Sequence, residues 1–349
     1  MKFLLALVSL CLIGVTHQTN VIDNLLASID CTLTGFVGFI SKFNRNYASQ
    51  EEHDHRFSLF QSNCQELKQI IQNSQGSTAT FGFTKFMDWS KDEKAKIATG
   101  FANPDSSPAQ AAQASRAKRQ TQATFDWRNS NNVSPIRDQG NCGSCVAFAC
   151  TAGVESQMLI NNHSNYALLG IIMLSYPDQS EQELVSCVSG NSCAGGYVNN
   201  ALNYLQANGQ DTESSYPYTA TNSACNAVAT GKTKITRYWN IGSSESNIAN
   251  NLPSTGPLIN AVWVPNSIYY YKSGIYQPAA GECATGQSQG LGHVFSVIGY
   301  NVTDPNNSYW IFKNSWGTNW GQSGYGYWKF GNWFGGCSQI QAMTAVSTI

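Results

Sequence analysis

Two cysteines, Cys142 and Cys145, lie three residues apart in the segment RDQGNCGSCVAFA, where a helix is predicted to begin. A helix N-terminus stabilises a thiolate through its dipole, and a nearby imidazolium stabilises it further. A cysteine in this position is therefore a candidate nucleophile. Such a nucleophile requires a general base, for which histidine is the usual residue near neutral pH.

Only one of the five histidines is well placed to act as that base. His17, His53 and His55 all precede a segment predicted to be an exposed linker. His163 lies in a polar stretch predicted to be a surface loop. This leaves His293, in the strand-like segment GLGHVFSVIGY, as the candidate partner of a reactive thiolate.

Covalent catalysis of this kind needs two further groups, one to orient the imidazole and one to stabilise an oxyanion. Asn314, in IFKNSWG, follows a predicted aromatic strand and would accept a hydrogen bond from the imidazole N–H. Gln139 precedes the two cysteines and would supply a side-chain amide donor. These residue types predict acyl transfer in a cleft between their elements.

Three other interpretations of the two cysteines stay open at this point. A redox pair would require a βαβ context, which the surrounding pattern does not show. A zinc site would require two further ligands at short spacing, and Cys187 and Cys193 do not have that spacing. A structural role for both is the third, since eight of the eleven cysteines follow residue 120 and could all pair.

The elements that must position these residues follow a leader and a linker. The N-terminus MKFLLALVSLCLIGVTHQ joins one lysine to a short apolar run, which predicts a cleaved secretory signal over residues 1–16. Residues 102–120 are rich in Ala, Gln and Ser and contain the dibasic pair Lys118-Arg119, so we expect an exposed, cleavable linker. The chain thus divides into residues 17–120 and residues 121–349.

The net charge and the predicted secretory route limit the classes of partner that the protein can bind. The net charge is −1 and only 12% of residues are charged, so no basic excess favours nucleic acid or an anionic membrane. A secretory route permits disulfides and glycosylation. Sequons predict glycosylation at Asn162, Asn301 and Asn306, and that at Asn132 is weakened by Pro135.

Periodicity predicts helices first and strands later. Residues 52–73, 144–159 and 180–185 have helical patterns, the first of them amphipathic. The second half contains aromatic and β-branched runs punctuated by Gly and Asn, which predict antiparallel strands. Two lobes with a cleft between them follow from this order.

These residues resemble the papain-like cysteine peptidases, and among them the cathepsin L type. The resemblance rests on five segments in the family's order, DQGNCGSCVAFA, SEQELVSC, CAGGYVNNAL, GHVFSVIGY and YWIFKNSWGTNWGQSGYGYWKF. It implies an α+β, papain-like two-lobed fold with a helical left lobe, an antiparallel β-barrel right lobe and a mainly helical inhibitory propeptide over residues 17–120. It also implies an endopeptidase made as a zymogen, with no cofactor and no metal.

The resemblance assigns roles to single residues. Cys145 becomes the nucleophile, His293 the general base and acid, and Asn314 the residue that orients His293. Gln139 and the backbone N–H of Cys145 form the oxyanion hole. Trp316, supported by Trp320, shields the His–Asn hydrogen bond and would also contribute to substrate binding. The implied disulfides are Cys142–Cys193, Cys187–Cys225 and Cys283–Cys337, with Cys145 and Cys150 left as thiols.

Substrate binding is also implied by the resemblance. Gly195 and Gly196 would let a peptide backbone approach and pair as an added strand. The pocket for the side chain two residues before the scissile bond, P2, would be lined by Tyr197, Val198, Ala261, Val294 and Ala342. This lining predicts an apolar or aromatic P2 residue. No occluding loop with histidines is present, which favours endopeptidase activity.

Partners and location follow in the same way. The implied partners are protein or peptide substrates, the protein's own propeptide and cystatin-like inhibitors, and the implied state is a monomer in lysosomes or outside the cell. In the propeptide, Glu52, Arg56, Phe60 and Asn63 keep the family's helix spacing. The propeptide would lie through the cleft against the substrate direction, and acid would favour its release.

Two features depart from the family. Residues around Asn162 form an insertion of about ten residues, predicted to be a surface loop. Val146 stands where the family usually has Trp, next to the nucleophile. An alternative function, a non-catalytic or weakly active papain-fold binding protein, would explain Val146 but would not need Cys145, His293, Asn314 and Gln139.

Overall fold

The structure is a computed structural model that describes most of the chain, namely residues 22–74, 77–102, 122–169, 177–228, 232–242, 244–340 and 342–348. For residues 162–169 it describes the backbone alone. The predicted signal over residues 1–16 and residues 103–120 of the predicted linker lie outside the described residues. Within the described part no single helix is long and apolar enough to cross a membrane; Ile22–Ser28 and Leu33–Phe43 pass that test only as a pair bent by 82°.

The propeptide region consists mainly of helices. These are α1 (Ile22–Ser28), α2 (Leu33–Phe43), α3 (Gln50–Asn73) and α4 (Lys91–Lys96), with short strands β1 (Thr80–Phe81) and β2 (Gly100–Phe101). Helix α3 begins after Ser49, whose side chain accepts a hydrogen bond from the backbone N–H of Glu52. Its buried residues follow helical spacing, as the sequence predicts: Phe60, Asn63, Cys64, Leu67 and Ile71.

The left lobe contains α5 (Cys145–Leu169), β4 (Gly196–Tyr197), α6 (Glu181–Ser186) and α7 (Val198–Ala207). Ser180 caps α6 by accepting from the backbone N–H of Glu183, so this helix lies where it is predicted. Helix α5 continues ten residues beyond its predicted end and includes Asn162 and His163. The prediction of a surface loop there is wrong, because Asn, His and Ser are only modestly poorer helix formers than most residues and do not end a helix by themselves.

The right lobe is built on one eight-stranded sheet. Its strands are β3 (Thr124–Asp126), β5 (Ile235–Gly242), β6 (Leu258–Trp263), β8 (Ile275–Tyr276), β9 (Gly292–Asn301), β10 (Tyr309–Lys313), β11 (Tyr325–Lys329) and β12 (Ala342–Thr348). The order is β5-β12-β6-β9-β10-β11-β8, with β3 beside β9. All pairs are antiparallel except β8 with β11, which departs from the predicted all-antiparallel lobe.

Short elements complete this lobe. Strand β7 (Tyr271–Ser273) pairs with β1 of the propeptide region. Helices α8 (Glu245–Thr255), α9 (Glu282–Ser288) and α10 (Asn332–Gly335) flank the sheet. The run WVPNSIYYYKSGIY, predicted to be strand, instead contains a short 3₁₀ helix over Asn266–Tyr270 between its strand pieces.

Two hydrophobic cores meet at the predicted cleft. The first joins aromatic residues of the propeptide region to the right lobe, among them Phe36, Phe60 and Phe86 with Tyr269 and Trp316. The second joins α5 and α7 to the facing sides of β6, β9 and β12. The propeptide region is therefore packed as a layer on the right lobe.

Candidate active site

The two cysteines of the opening segment have different surroundings. Cys142 forms a disulfide with Cys193, whereas Cys145, the first residue of α5, is a free and fully buried thiol. The other implied disulfides, Cys187–Cys225 and Cys283–Cys337, are also confirmed, and Cys150 is the second free buried thiol. The redox-pair and zinc interpretations are excluded because Cys142 is bonded elsewhere.

His293 and Asn314 form a close hydrogen bond. Nε2 of His293 and Oδ1 of Asn314 are 2.8 Å apart, so the imidazole carries its hydrogen on Nε2. Both residues are buried; His293 is on β9, and Asn314 directly follows its partner strand β10. The ring of Trp316 covers the imidazole at a centroid distance of 4.7 Å, and Trp320 packs edge-on against Trp316 at 5.1 Å.

The thiol of Cys145 lies beside this pair. The backbone N–H of Val294, the residue after His293, lies near the Cys145 sulfur and favours its thiolate form. Nδ1 of His293 has no hydrogen-bond partner among the described residues and is the ring nitrogen left free to exchange a proton. The sequence-predicted residues Cys145, His293 and Asn314 thus come together at the boundary between α5 and β9.

Gln139 reaches the same place through a chain of hydrogen bonds. Its Nε2 amide donates to the carbonyl of Cys142 at 2.9 Å and to that of Ile97 at 3.3 Å, while its Oε1 accepts from Ser315 Oγ at 2.7 Å. Gln139 is fully buried. The amide predicted to serve an oxyanion therefore faces a carbonyl of the propeptide region.

The propeptide strand β2 crosses the site. It pairs in parallel with β4, and the backbone N–H of Gly196 donates to the carbonyl of Thr99 at 3.1 Å. A Cβ on Gly100 would come within 2.4 Å of the Cys145 sulfur, so the chain passes directly over the nucleophile. Gly195 has φ +115°, and a Cβ there would come within 2.2 Å of the Thr99 carbonyl oxygen.

Burial under this strand keeps both reactive groups neutral. Desolvation raises the pKa of the Cys145 thiol to about 11, although several backbone hydrogen bonds oppose the rise. Desolvation also lowers the pKa of His293 to about 4, against the opposing effect of its hydrogen bond to Asn314. At neutral pH the covered site holds a thiol and an imidazole rather than a thiolate and an imidazolium.

Comparison with known proteins identifies the family. A family profile described as "Papain family cysteine protease" matches residues 121–346, and one described as "Cathepsin propeptide inhibitor domain (I29)" matches residues 36–93. The chain belongs to the papain family of cysteine proteases. Its architecture, with a propeptide inhibitor domain ahead of the protease domain, is that of a cysteine endopeptidase made as a zymogen.

Individual relatives agree with this assignment. A viral cathepsin of Orgyia pseudotsugata multicapsid polyhedrosis virus is 34% identical over 83% of this chain and 85% of the relative. A cathepsin L-like proteinase of Fasciola hepatica is 33% identical over 81% of this chain and 84% of the relative. Among solved structures, digestive procathepsin L 3 of Tenebrio molitor larval midgut has a TM-score of 0.73 at 28% identity, covering 90% of this chain and 99% of that one. The similarity supports the papain-like two-lobed α+β fold.

One pocket of the structure contains three of the five residues predicted to bind the P2 side chain. Val198, Ala261 and Ala342 line it, whereas Tyr197 lies outside, with 39% of its surface exposed and its ring 5.8 Å from that of Phe101. Val294 also lies outside this lining, next to Gly100 and Cys145. The other residues that line this pocket are Ala102 of the propeptide region and Asn199, Asn240, Ile259, Ile340 and Thr344.

Trp316, predicted to contribute to substrate binding, is completely buried in this zymogen. The propeptide ring of Phe86 packs edge-on against it at 5.1 Å, and Tyr269 stacks on it at 5.3 Å. Phe86 of the propeptide region therefore covers part of the Trp316 ring. No pattern in the sequence indicated this contact between Phe86 and Trp316.

The propeptide contains a disulfide that the sequence analysis did not pair. Cys31 and Cys64 are bonded, which ties the segment before α2 to the buried face of α3.

A second feature that the sequence analysis missed is a buried polar contact between the propeptide region and the protease domain. Nζ of Lys94, 3% exposed, donates to Asn63 Oδ1 and to Tyr270 Oη, both at 2.8 Å. Burial lowers the pKa of Lys94 to about 8.

The three predicted glycosylation sites differ in their surroundings. Asn306 is exposed in the loop between β9 and β10. Asn301 is half-buried, and its Oδ1 accepts from the backbone and side chain of Thr303. Asn162 is in α5, and its side chain lies outside the described part of the chain. Glycosylation at all three stays a prediction.

Proposed function

We propose that Cys145 is the nucleophile of this cysteine endopeptidase and that His293 is its general base and acid. Once the propeptide leaves, water and substrate reach the site, and Nδ1 of His293 takes the thiol proton to form a thiolate–imidazolium pair. The thiolate adds to the scissile carbonyl carbon, and His293 then gives its proton to the leaving amine. Water hydrolyses the resulting thioester with His293 as base.

Asn314 and Gln139 have supporting roles in this proposal. Asn314 accepts from the Nε2 hydrogen of His293 and thereby directs Nδ1 to the thiol. Gln139 and the backbone N–H of Cys145 would stabilise the oxyanion of the tetrahedral intermediate. The single observation that carries the proposal is the free Cys145 thiol beside a histidine whose other nitrogen is bonded to Asn314.

The same proposal extends to maturation and location. Removal of residues 17–120, with cleavage in the linker at residues 102–120, would release the enzyme over residues 121–349. Four disulfides favour a secretory route, ending in lysosomes or outside the cell. We also propose a monomer that cystatin-like inhibitors can block, with glycans at Asn162, Asn301 and Asn306.

A covalent test separates this function from a non-catalytic binding protein. The matured protein should be labelled at Cys145 by a thiol-directed peptidase probe, and Cys145→Ala should abolish labelling and peptide cleavage. Cys150→Ala is the matched control, because that thiol is also free and buried but has no part in the proposed chemistry, and it should keep both. An unlabelled Cys145 in correctly folded, matured protein would contradict the proposal.

Val146 is the observation that favours the binding-protein alternative. In the structure Val146 is 2% exposed, and its Cγ2 would be 3.3 Å from a Cβ on Gly100, so it packs beside the nucleophile without disturbing it. We therefore expect the wild-type enzyme to be active already, and Val146→Trp to change only its rate of peptide cleavage. A protein active only after Val146→Trp would support the alternative.

A further inference from the structure

A pocket beside the nucleophile has an uneven distribution of polarity. Three strands of the right lobe form one of its walls, and the side chains that face it alternate along each strand. They are Ile259 and Ala261 on β6, Ala342 and Thr344 on β12, and Asn240 on β5. Val198 and Asn199 at the start of α7 face them.

The strand register orders these residues by distance from Cys145. Ala261 pairs with Val294, whose backbone contacts the Cys145 sulfur. Ile259 lies one alternation further along β6 and pairs with Thr344, and Thr344 in turn pairs with Asn240. The end near the nucleophile is therefore apolar, and the far end carries a hydroxyl and an amide.

A hydrogen bond orients the amide at the far end. Oγ1 of Thr344 donates to Oδ1 of Asn240 at 2.8 Å, which leaves the Nδ2 group of Asn240 as the donor. Within the described residues no hydrogen bond from this Nδ2 is found, and Asn240 is only half-buried. No charged side chain is among the residues lining the pocket. The far end thus offers an uncharged donor without a protein partner.

The propeptide residues that the structure describes do not use this feature. Ala102 is the propeptide residue at the pocket, and its backbone N–H is held by Gln339 Oε1 at 2.8 Å. A methyl group is too short to reach from the apolar end to Asn240. The polar end is therefore not explained by binding of the propeptide.

We propose that this pocket selects an uncharged P2 side chain with an apolar stem and a hydrogen-bonding tip, such as tyrosine or glutamine, and that Asn240 is the specificity-determining residue. This inference rests on the proposed peptidase function. An apolar tip would cover the Asn240 amide without replacing its hydrogen bond to water, which is unfavourable. A carboxylate or guanidinium would enter without a counter-charge. The expectation of an apolar or aromatic P2 residue is thereby narrowed.

The test uses matured enzyme and peptide substrates that differ only at P2, in the matched pairs Tyr with Phe and Gln with Leu. We expect kcat/KM to favour Tyr and Gln by about tenfold. Asn240→Leu should bring both ratios close to one by lowering kcat/KM for the Tyr and Gln peptides, and labelling of Cys145 by a thiol-directed probe reports that the variant is folded. Asn247→Leu, an exposed asparagine on α8, is the control and should leave the ratios unchanged.

The outcomes separate this inference from the proposed function. Equal or better cleavage of the Phe and Leu peptides by the wild-type enzyme, or ratios that Asn240→Leu does not alter, would overturn the selection while cleavage itself upholds the peptidase. Failure to cleave any of the four peptides, together with no labelling of Cys145 by a thiol-directed probe, would overturn both. Thr344→Val, which releases Asn240 from its hydrogen bond, should lower the ratios to an intermediate value.

Discussion

Cys145 is protected as a neutral thiol while Gly100 lies over it. The pKa of Cys145 is raised to about 11 by burial, so its thiolate is scarce at neutral pH and increases as pH rises towards that value. The imidazole of His293, with a pKa of about 4, is likewise neutral. Removing the propeptide reverses the desolvation that causes both shifts, and the ion pair can then form.

Alkylation measures this difference directly. At pH 7 we expect iodoacetamide to modify Cys145 at least about 100-fold more slowly in the unprocessed zymogen than in the matured enzyme, because the zymogen thiol is both neutral and covered. The zymogen rate should rise with pH up to about 11, whereas the mature rate should be nearly constant above neutral pH. Peptide mapping distinguishes Cys145 from Cys150. Equal rates in the two forms would contradict the argument.

The amide of Gln139 offers a second residue-scale prediction. Gln139→Ala should lower kcat of the matured enzyme by about 100-fold, the usual loss for one oxyanion donor, with a smaller change in KM. Gln339→Ala is the control, since Gln339 binds Gly100 and Ala102 of the propeptide and lies outside the proposed catalytic groups. It should weaken inhibition by the propeptide while keeping kcat. A kcat of Gln139→Ala equal to that of the wild-type enzyme would show that Gln139 does not stabilise the oxyanion.

At the scale of elements, inhibition depends on strand β2 and its parallel pairing with β4. The backbone N–H of Gly292 donates to the carbonyl of Ala98 at 3.0 Å, so β2 is held from the β9 side as well. Strand β2 covers the Cys145 sulfur with the backbone of Gly100, which has no side chain. Any side chain at position 100 would meet the sulfur of Cys145 or Cγ2 of Val294.

Gly100→Leu should therefore loosen the propeptide. A Cβ at this position would lie 2.4 Å from the Cys145 sulfur and 2.8 Å from Cγ2 of Val294, and neither can retreat within a packed core. We expect faster alkylation of Cys145 and measurable peptide cleavage before processing. Gly38→Ala, in α2 with nothing within 4 Å of the added Cβ, should keep the zymogen latent. A Gly100→Leu zymogen that cleaves no peptide and is alkylated as slowly as the wild-type zymogen would show that β2 is not the inhibitory element.

Across the whole molecule, two carboxylates of the propeptide region, Glu93 and Asp88, respond to acid in opposite directions. Burial favours a higher pKa for Glu93, but hydrogen bonds from Arg56 and Ser90 outweigh it and hold the pKa below its usual value. The stabilisation from Glu93 is thus present at neutral pH and is lost as pH falls through its lowered pKa. Burial raises the pKa of Asp88 despite Arg45 and Tyr47, so acid relieves an unfavourable charge there.

Thermal unfolding of the Cys145→Ala zymogen tests this balance without self-processing. Glu93→Gln should destabilise the propeptide by about 1–2 kcal/mol at pH 7, because Arg56 loses its partner at 2.7 Å, and the loss should shrink as the parent's Glu93 becomes protonated. Asp88→Asn should show the opposite trend, with its stability relative to the parent highest at neutral pH. Parallel curves for the parent and both variants between pH 7 and 3 would refute the assignment.

Local patterns in the sequence determined much of this molecule. The order of five short segments indicated the family, and the types of Cys145, His293, Asn314 and Gln139 predicted acyl transfer chemistry that the geometry now brings together. The helical patterns over residues 52–73 and 180–185 predicted helices that are present as α3 and α6. These predictions succeed because helix periodicity acts between residues a few positions apart.

The tertiary structure alone decided what depends on distant strands coming into register. Asn240 and Thr344 are 104 residues apart, so no local pattern could show that they share one end of a pocket. The same holds for Gly100 over Cys145 and for the Cys31–Cys64 disulfide, since neither contact has a nearby sequence signal. Local spacing specifies which groups face together within one element, whereas the choice of facing element is set by packing and strand pairing.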